Sequence, residues 1–155
     1  MQLTRPKPLF NIFFLIYCIS LFWILFVSTE SKDRSSFYKK TYHYYIPFEH
    51  TREMLSIGKK YNFKNHTGYN IFSNIIGNIF LFIPLGIYMA LMPRAFQIKE
   101  VTAIFFSASC SIELIQHTFN LGVFDVDDII YNSLGGITGY TLVKLKQSGC
   151  FVRNL

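Results

Sequence analysis

The chain has 155 residues, of which 51% are hydrophobic and only 15% are charged, so it is long enough for one domain with a large apolar content. Its net charge of +6 does not indicate nucleic acid, because surplus Lys and Arg in an apolar chain are typical of cytoplasmic flanks or of contact with anionic headgroups. Three cysteines without a CxxC pair favour neither a disulfide framework nor a zinc site, and we predict no metal and no cofactor.

The apolar residues fall in four long runs, and a helix needs about 20 such residues to cross a bilayer. We therefore predict transmembrane helices at about residues 9–27, 71–92, 101–119 and 129–143. The sequence predicts an all-α integral membrane protein, with these four helices packed as a small bundle in a single domain that covers residues 1–155.

A long polar loop, residues 28–70, separates the first two predicted helices and carries eight Lys or Arg. Within it, residues 51–59 follow Pro47 and have the pattern of a short amphipathic helix that lies on the membrane. With both termini in the cytoplasm, seven Lys and Arg residues outside this loop lie on the inner side, as the positive-inside rule requires. The basic loop, which this orientation places outside the cell, is the one conflict.

Polar side chains interrupt three of the apolar runs, and a charge at mid-bilayer costs roughly 2.5–3.5 kcal/mol. At 1.5 Å per residue, Asn78, Glu113 and Asn132 lie about 10, 9 and 6 Å below the outer surface. They lie under an acidic loop, so we predict a shared polar site that opens outward. Its candidate ligand-binding residues are Asn78, Glu113, Gln116, Asp125, Asp128 and Asn132.

Each of these residues also has a purely structural interpretation. A buried amide such as Asn78 often joins helices, and Asp127 or Asp128 is suited to cap the fourth helix. Gly135 and Gly139 form a GxxxG pattern, which is typical of close helix packing within a chain or in a homo-oligomer.

Three blocks of the sequence resemble the VanZ-like family of membrane proteins: residues 46–48, residues 74–86 and residues 111–139. The third block carries Ile112-Glu113, Gln116, Asp125-Val126-Asp127-Asp128 and Asn132-Ser133-Leu134-Gly135 in the order of the family pattern. Many members carry an Arg where this chain has Gly122, so a cationic partner for the acids is either absent here or supplied by the first loop.

The resemblance implies a bacterial cytoplasmic membrane protein linked to resistance to glycopeptide antibiotics, teicoplanin among them, or to lipopeptide antibiotics. Its partners would be membrane lipids or lipid-linked envelope components, bound in the outer polar site. No established catalytic motif is present.

Two alternatives remain open. The first is an intramembrane hydrolase or transferase that acts on a lipid or lipid-linked substrate, with Glu113, Asp125 and Asp128 as candidate catalytic residues. The second is a small proton-coupled transporter, although the sequence shows no inverted repeat.

Overall fold

The computed structural model describes residues 8–27, 43–60, 66–94, 96–119 and 121–149. Five α-helices and no strand occur in these parts of the chain, so the predicted all-α class is confirmed. One isolated parallel bridge joins Tyr44 to Asp125. Part of the basic loop, residues 28–42 and 61–65, lies outside the described residues.

Helix α1, Pro8–Phe22, continues as a π-helical segment, Trp23–Val27. It packs on the third helix of the chain through aromatic rings, because Phe14 stacks on Tyr88 with ring centroids 3.5 Å apart. The Tyr17 hydroxyl donates a hydrogen bond to the carbonyl of Leu81. Most of the other apolar side chains of α1 are exposed, and Phe13 and Ile19 are each 62% exposed.

Helix α2, Glu49–Lys60, lies in the loop between the first two predicted membrane helices. A short helix at this place is what the amphipathic pattern predicts, and the prediction is confirmed. Phe48, just before the helix, has a φ of 63°, which is in the left-handed region. Backbone in this region costs a residue with a side chain about 1–3 kcal/mol, so contacts elsewhere must offset it.

The remaining helices are α3, His66–Leu91, α4, Ile98–Thr118, and α5, Val126–Gln147. Helix α4 begins where the Glu100 carboxylate accepts a hydrogen bond of 2.8 Å from the backbone of Gln97. Helix α5 begins at the cap residue Asp125 and ends with Lys144 and Lys146 in its last turn, which suits the helix dipole.

Helices α3, α4 and α5 pack around one apolar core. Its buried members are Phe82, Met89, Ala90, Val101, Phe105 and Tyr140. Small residues bring the backbones of α3 and α5 together, because a Cβ atom added at Gly135 or Gly139 would lie 2.2 or 2.1 Å from a carbonyl oxygen of α3. The GxxxG pattern therefore serves packing within this chain.

One helical stretch of the described chain, Pro8–Val27, is long and apolar enough to cross a membrane by length and composition. A shorter apolar stretch, Ile75–Leu91, lies in α3. The four-helix membrane bundle and the sides on which the termini lie therefore stay predictions.

Candidate functional site

The amino-terminal end of α5 gathers most of the buried acidic groups. Asp125 caps the helix, because its side chain accepts a hydrogen bond of 2.8 Å from the backbone N–H of Asp127. The backbone N–H of Asp125 donates in turn to the Glu113 carboxylate of α4, at 3.1 Å. Glu113, Asp125 and Asp127 are only 2%, 3% and 1% exposed, so this acidic end of the helix is covered.

Asp127 caps helix α2 from outside that helix. Its carboxylate accepts hydrogen bonds from the backbone N–H groups of Phe48 and Thr51, the latter at 2.9 Å, and from the Thr51 hydroxyl at 2.7 Å. The same hydroxyl lies 2.7 Å from the Tyr131 hydroxyl. A carboxylate at a helix amino terminus satisfies unpaired N–H groups and complements the helix dipole. These bonds also hold Phe48 in its left-handed conformation.

Asp125 binds a second residue of α2, because its carboxylate is paired with Nδ1 of His50. The imidazole ring stacks on Tyr44 with centroids 4.4 Å apart, and the Tyr44 hydroxyl donates to Glu53 at 2.9 Å. Burial lowers the pKa of His50, but the hydrogen bond that its ring donates to Asp125 and the charges of the three neighbouring aspartates outweigh burial and raise this pKa. Of the two alternatives for a partner of the acids, absent or supplied by the first loop, the structure therefore favours the second, with His50 as that partner.

Asp125 and Asp127 bind residues of α2, whereas Asp128 joins α5 to α3. Its carboxylate accepts a hydrogen bond of 2.6 Å from the Asn78 amide. The three aspartates thus have different partners, His50, Thr51 and Asn78 respectively, and their carboxylates diverge. Within the described residues no three acidic, His or Cys side chains are grouped so that they could hold a metal ion.

Two predicted residues lie apart from this network. The Gln116 amide donates to the carbonyl of Leu25, 2.7 Å away, and so ties α4 to the end of the first helical stretch. Asn132 lies one turn deeper in α5 than Asp128 and is 2% exposed. Its Oδ1 atom has no hydrogen-bond partner in the described part of the protein, and neither does the Oγ atom of buried Ser109 on α4.

Four of the six candidate ligand-binding residues therefore meet around the start of α5: Asn78, Glu113, Asp125 and Asp128. The sequence predicts that the site opens outward. In the structure α2 covers the acids instead. His50 and Thr51 were missed. The only signal for them was their place at the start of an amphipathic helix, which does not reveal a partner more than 70 residues away.

The fold and this site define an all-helical protein with buried carboxylates between packed helices and a short helix fastened over them. The family described as VanZ/LLP1 matches residues 14–147, and the chain belongs to it. It is also similar to Protein VanZ from Enterococcus faecium, with 25% identity over 132 residues that cover 85% of this chain and 71% of the relative. No solved structure matches the chain.

Proposed function

We propose that the protein acts in resistance to glycopeptide or lipopeptide antibiotics, with teicoplanin as the first drug to test, at the outer face of the cytoplasmic membrane. The family supports this proposal, and so does the apolar stretch Pro8–Val27. In this arrangement the acid and amide cluster of α3, α4 and α5 lies just beneath the outer surface, where lipid-linked envelope components are exposed to these drugs.

The observation that carries the proposal is the convergence of Asn78, Glu113, Asp125 and Asp128 around the start of α5. Buried carboxylates are expensive in a membrane, and they are retained there mostly where they bind or transfer something. Large apolar side chains are exposed on the outside of the same helices, among them Phe80, Phe106 and Leu114 at 66%, 54% and 55%. An exposed apolar surface of this kind suits contact with lipid.

In the proposed mechanism, α2 is a cover fastened to the cluster by two aspartates. Movement of α2 away from α5 would expose Asp125 and Asp127 to an amine of a lipid or lipid-linked ligand, since both carboxylates already accept hydrogen bonds. Asp128 and Asn78 would keep α3 and α5 joined meanwhile, because their bond does not involve α2. Binding at the cluster would change how the antibiotic meets its envelope target.

The test is resistance in cells that carry the variants Glu113→Gln, Asp125→Asn and Asp128→Asn, each with its expression checked. We expect a loss of resistance of fourfold or more, on the order of 1 kcal/mol, because Asp125→Asn removes a charge that would attract the amine, and Glu113→Gln and Asp128→Asn weaken the hydrogen bonds that hold the cluster together. Glu49→Gln is the matched control, since Glu49 is an exposed acid at the start of α2. Full resistance in all three variants at normal expression would refute the proposal.

A second candidate function is an intramembrane hydrolase or transferase that acts on a lipid or lipid-linked substrate. The pairing of His50 with Asp125 favours it, because a carboxylate that holds Nδ1 fixes the ring and leaves Nε2 on the opposite edge to take up or donate a proton. Envelope lipid composition, measured in the same variants, separates the two candidates. A change that follows loss of resistance supports the enzyme, and unchanged lipids support the non-enzymatic function.

A further inference from the structure

The contact between α4 and α5 contains two buried oxygen atoms that lack a hydrogen-bond partner among the described residues. They are Oγ of Ser109, which is 0% exposed, and Oδ1 of Asn132, which is 2% exposed. An unpaired polar group in an apolar interior costs about 1–3 kcal/mol, so two on facing helices need an explanation.

The register of the two helices brings these atoms to one level. Gly136 faces α4 closely, because a Cβ atom added there would lie 2.4 Å from the Phe105 ring. The helices are antiparallel, being joined by a short connection, so a step of four residues leads from Phe105 to Ser109 on one helix and from Gly136 to Asn132 on the other. Four residues further along α4 is Glu113. In this antiparallel register Glu113 lies beside the start of α5, and its carboxylate accepts a hydrogen bond from Asp125 there.

The conformation of Ser109 is also unusual for this chain. Helical Ser and Thr hydroxyls commonly bond the carbonyl four residues earlier, and six in the described part of the chain do so at 2.7–3.0 Å. They are Ser20, Thr102, Ser111, Thr118, Ser133 and Thr141. The Ser109 hydroxyl gives up this bond although it is fully buried, which is expected if it bonds a group in the contact between the helices.

We infer that Ser109 and Asn132 form an internal binding site for one water molecule between α4 and α5. A water donates to Oδ1 of Asn132 and exchanges a hydrogen bond with the Ser109 hydroxyl, and buried water typically makes two to four such bonds. Since Ser109 lies one turn from Glu113, about 6 Å along the axis, the water gives Glu113 a polar neighbour on its inner side.

The sign of the stability change in Ser109→Ala tests the inference. If the hydroxyl holds a water, the variant leaves that water short of a partner, and we expect Tm of the full chain in detergent to fall by about 2–4 °C. If the hydroxyl has no partner, its removal relieves a buried unpaired group, and Tm stays the same or rises. Ser133→Ala is the matched control, because Ser133 is also buried but its hydroxyl bonds the Ile129 carbonyl.

Coupling between the two residues separates a shared water from two independent defects. In an Asn132→Leu background, Ser109→Ala should lower Tm much less than it does in the unmodified chain, because the site is already lost. Additive shifts would overturn the inference. A Tm that differs between sodium chloride and choline chloride only when both residues are present would indicate a bound cation and would also overturn it.

The unmodified chain offers a test that does not depend on variants. Water-edited solid-state NMR of the protein in lipid bilayers should show magnetisation transfer from water to the Asn132 side-chain amide, which lies in the interior. Transfer as weak as that to the core residues Phe82 and Val101 would overturn the inference even if no Ser109 variant accumulates.

Discussion

His50 is one of the residues that attach α2 to the start of α5. Its ring is paired with Asp125, stacked on Tyr44 and surrounded by the charges of Asp127 and Asp128. A histidine that gains such partners on folding has a pKa above its unfolded value, which is about 6.5. Its contribution to stability is therefore complete below the unfolded pKa and is lost as the pH rises through the folded pKa.

We therefore predict that the stability of the folded chain decreases as the pH is raised above about 6.5, and that His50→Asn removes most of this dependence. Asparagine keeps a neutral donor for Asp125 but does not titrate, so the variant should lose about 1–3 kcal/mol below this pH and progressively less above it. Thermal unfolding in detergent on both sides of this pH measures both effects.

His117→Asn is the control for replacing a histidine, because His117 is exposed and faces the ring of His43, at 4.8 Å between centroids, without a carboxylate partner among the described residues. The same pH dependence in His50→Asn and in the unmodified chain would show that the pair with Asp125 does not contribute to stability.

The residues of the site could be predicted where the local sequence itself is unusual. Glu113 and the three aspartates stand out because charge is rare in apolar runs. The cap of α5 was predicted at Asp127 or Asp128, and that was wrong. The helix begins at Val126, so Asp125 is the cap residue and the other two lie in the first turn. The partners of Asp125 and Asp127 could not be predicted, because His50 and Thr51 come from a distant segment and nothing in their neighbourhood specifies a contact with α5.

At the scale of elements, the packing of α3 against α5 depends on glycines from both helices. A Cβ atom at Gly86 would lie 2.0 Å from the carbonyl oxygen of Gly136, so both backbones would have to move apart. Gly77 lies in α3 as well, but a Cβ atom there meets nothing within 4 Å. Two glycines of one helix thus have opposite roles.

We predict that Gly86→Ala and Gly135→Ala each destabilise the protein by about 1–3 kcal/mol or more, because neither backbone contact can relax cheaply. Gly77→Ala should instead leave stability unchanged or raise it by up to about 1 kcal/mol, because alanine favours helix. Thermal unfolding of the three variants tests this contrast. Equal effects at Gly77 and Gly86 would show that the close approach of the helices does not limit stability.

The predicted helices matched the observed ones in number and order but started too late. The apolar run at residues 129–143 gives no indication that α5 begins at Val126, because its first turn is acidic and is stabilised by capping and by contacts with other helices. The run at residues 71–92 likewise omits the polar first turn of α3, which begins at His66. Hydrophobicity predicts the buried part of a helix and misses its polar ends.

At the scale of the whole molecule, the proposed function requires the start of α5 to face the exterior. Helix α4 and helix α5 are antiparallel, so the connection at residues 119–125 lies at one end of the pair and Ser148 lies at the other. If the pair spans the membrane, these two ends are on opposite sides. Lys144 and Lys146, near Ser148, then belong in the cytoplasm by the positive-inside rule.

Cysteine labelling in intact cells tests this orientation. Cys18, Cys110 and Cys150 are first replaced by alanine, and a single cysteine is then placed at Gly122 or at Ser148. Gly122 tolerates a side chain, since the nearest atom to an added Cβ is Cβ of Gln116 at 3.8 Å, and Ser148 is exposed. We expect a membrane-impermeant maleimide to label Gly122→Cys in intact cells and Ser148→Cys only after permeabilisation. The reverse pattern would place the acids on the cytoplasmic side, where they could not meet an antibiotic outside the cell, and both candidate functions at the outer face would fail together.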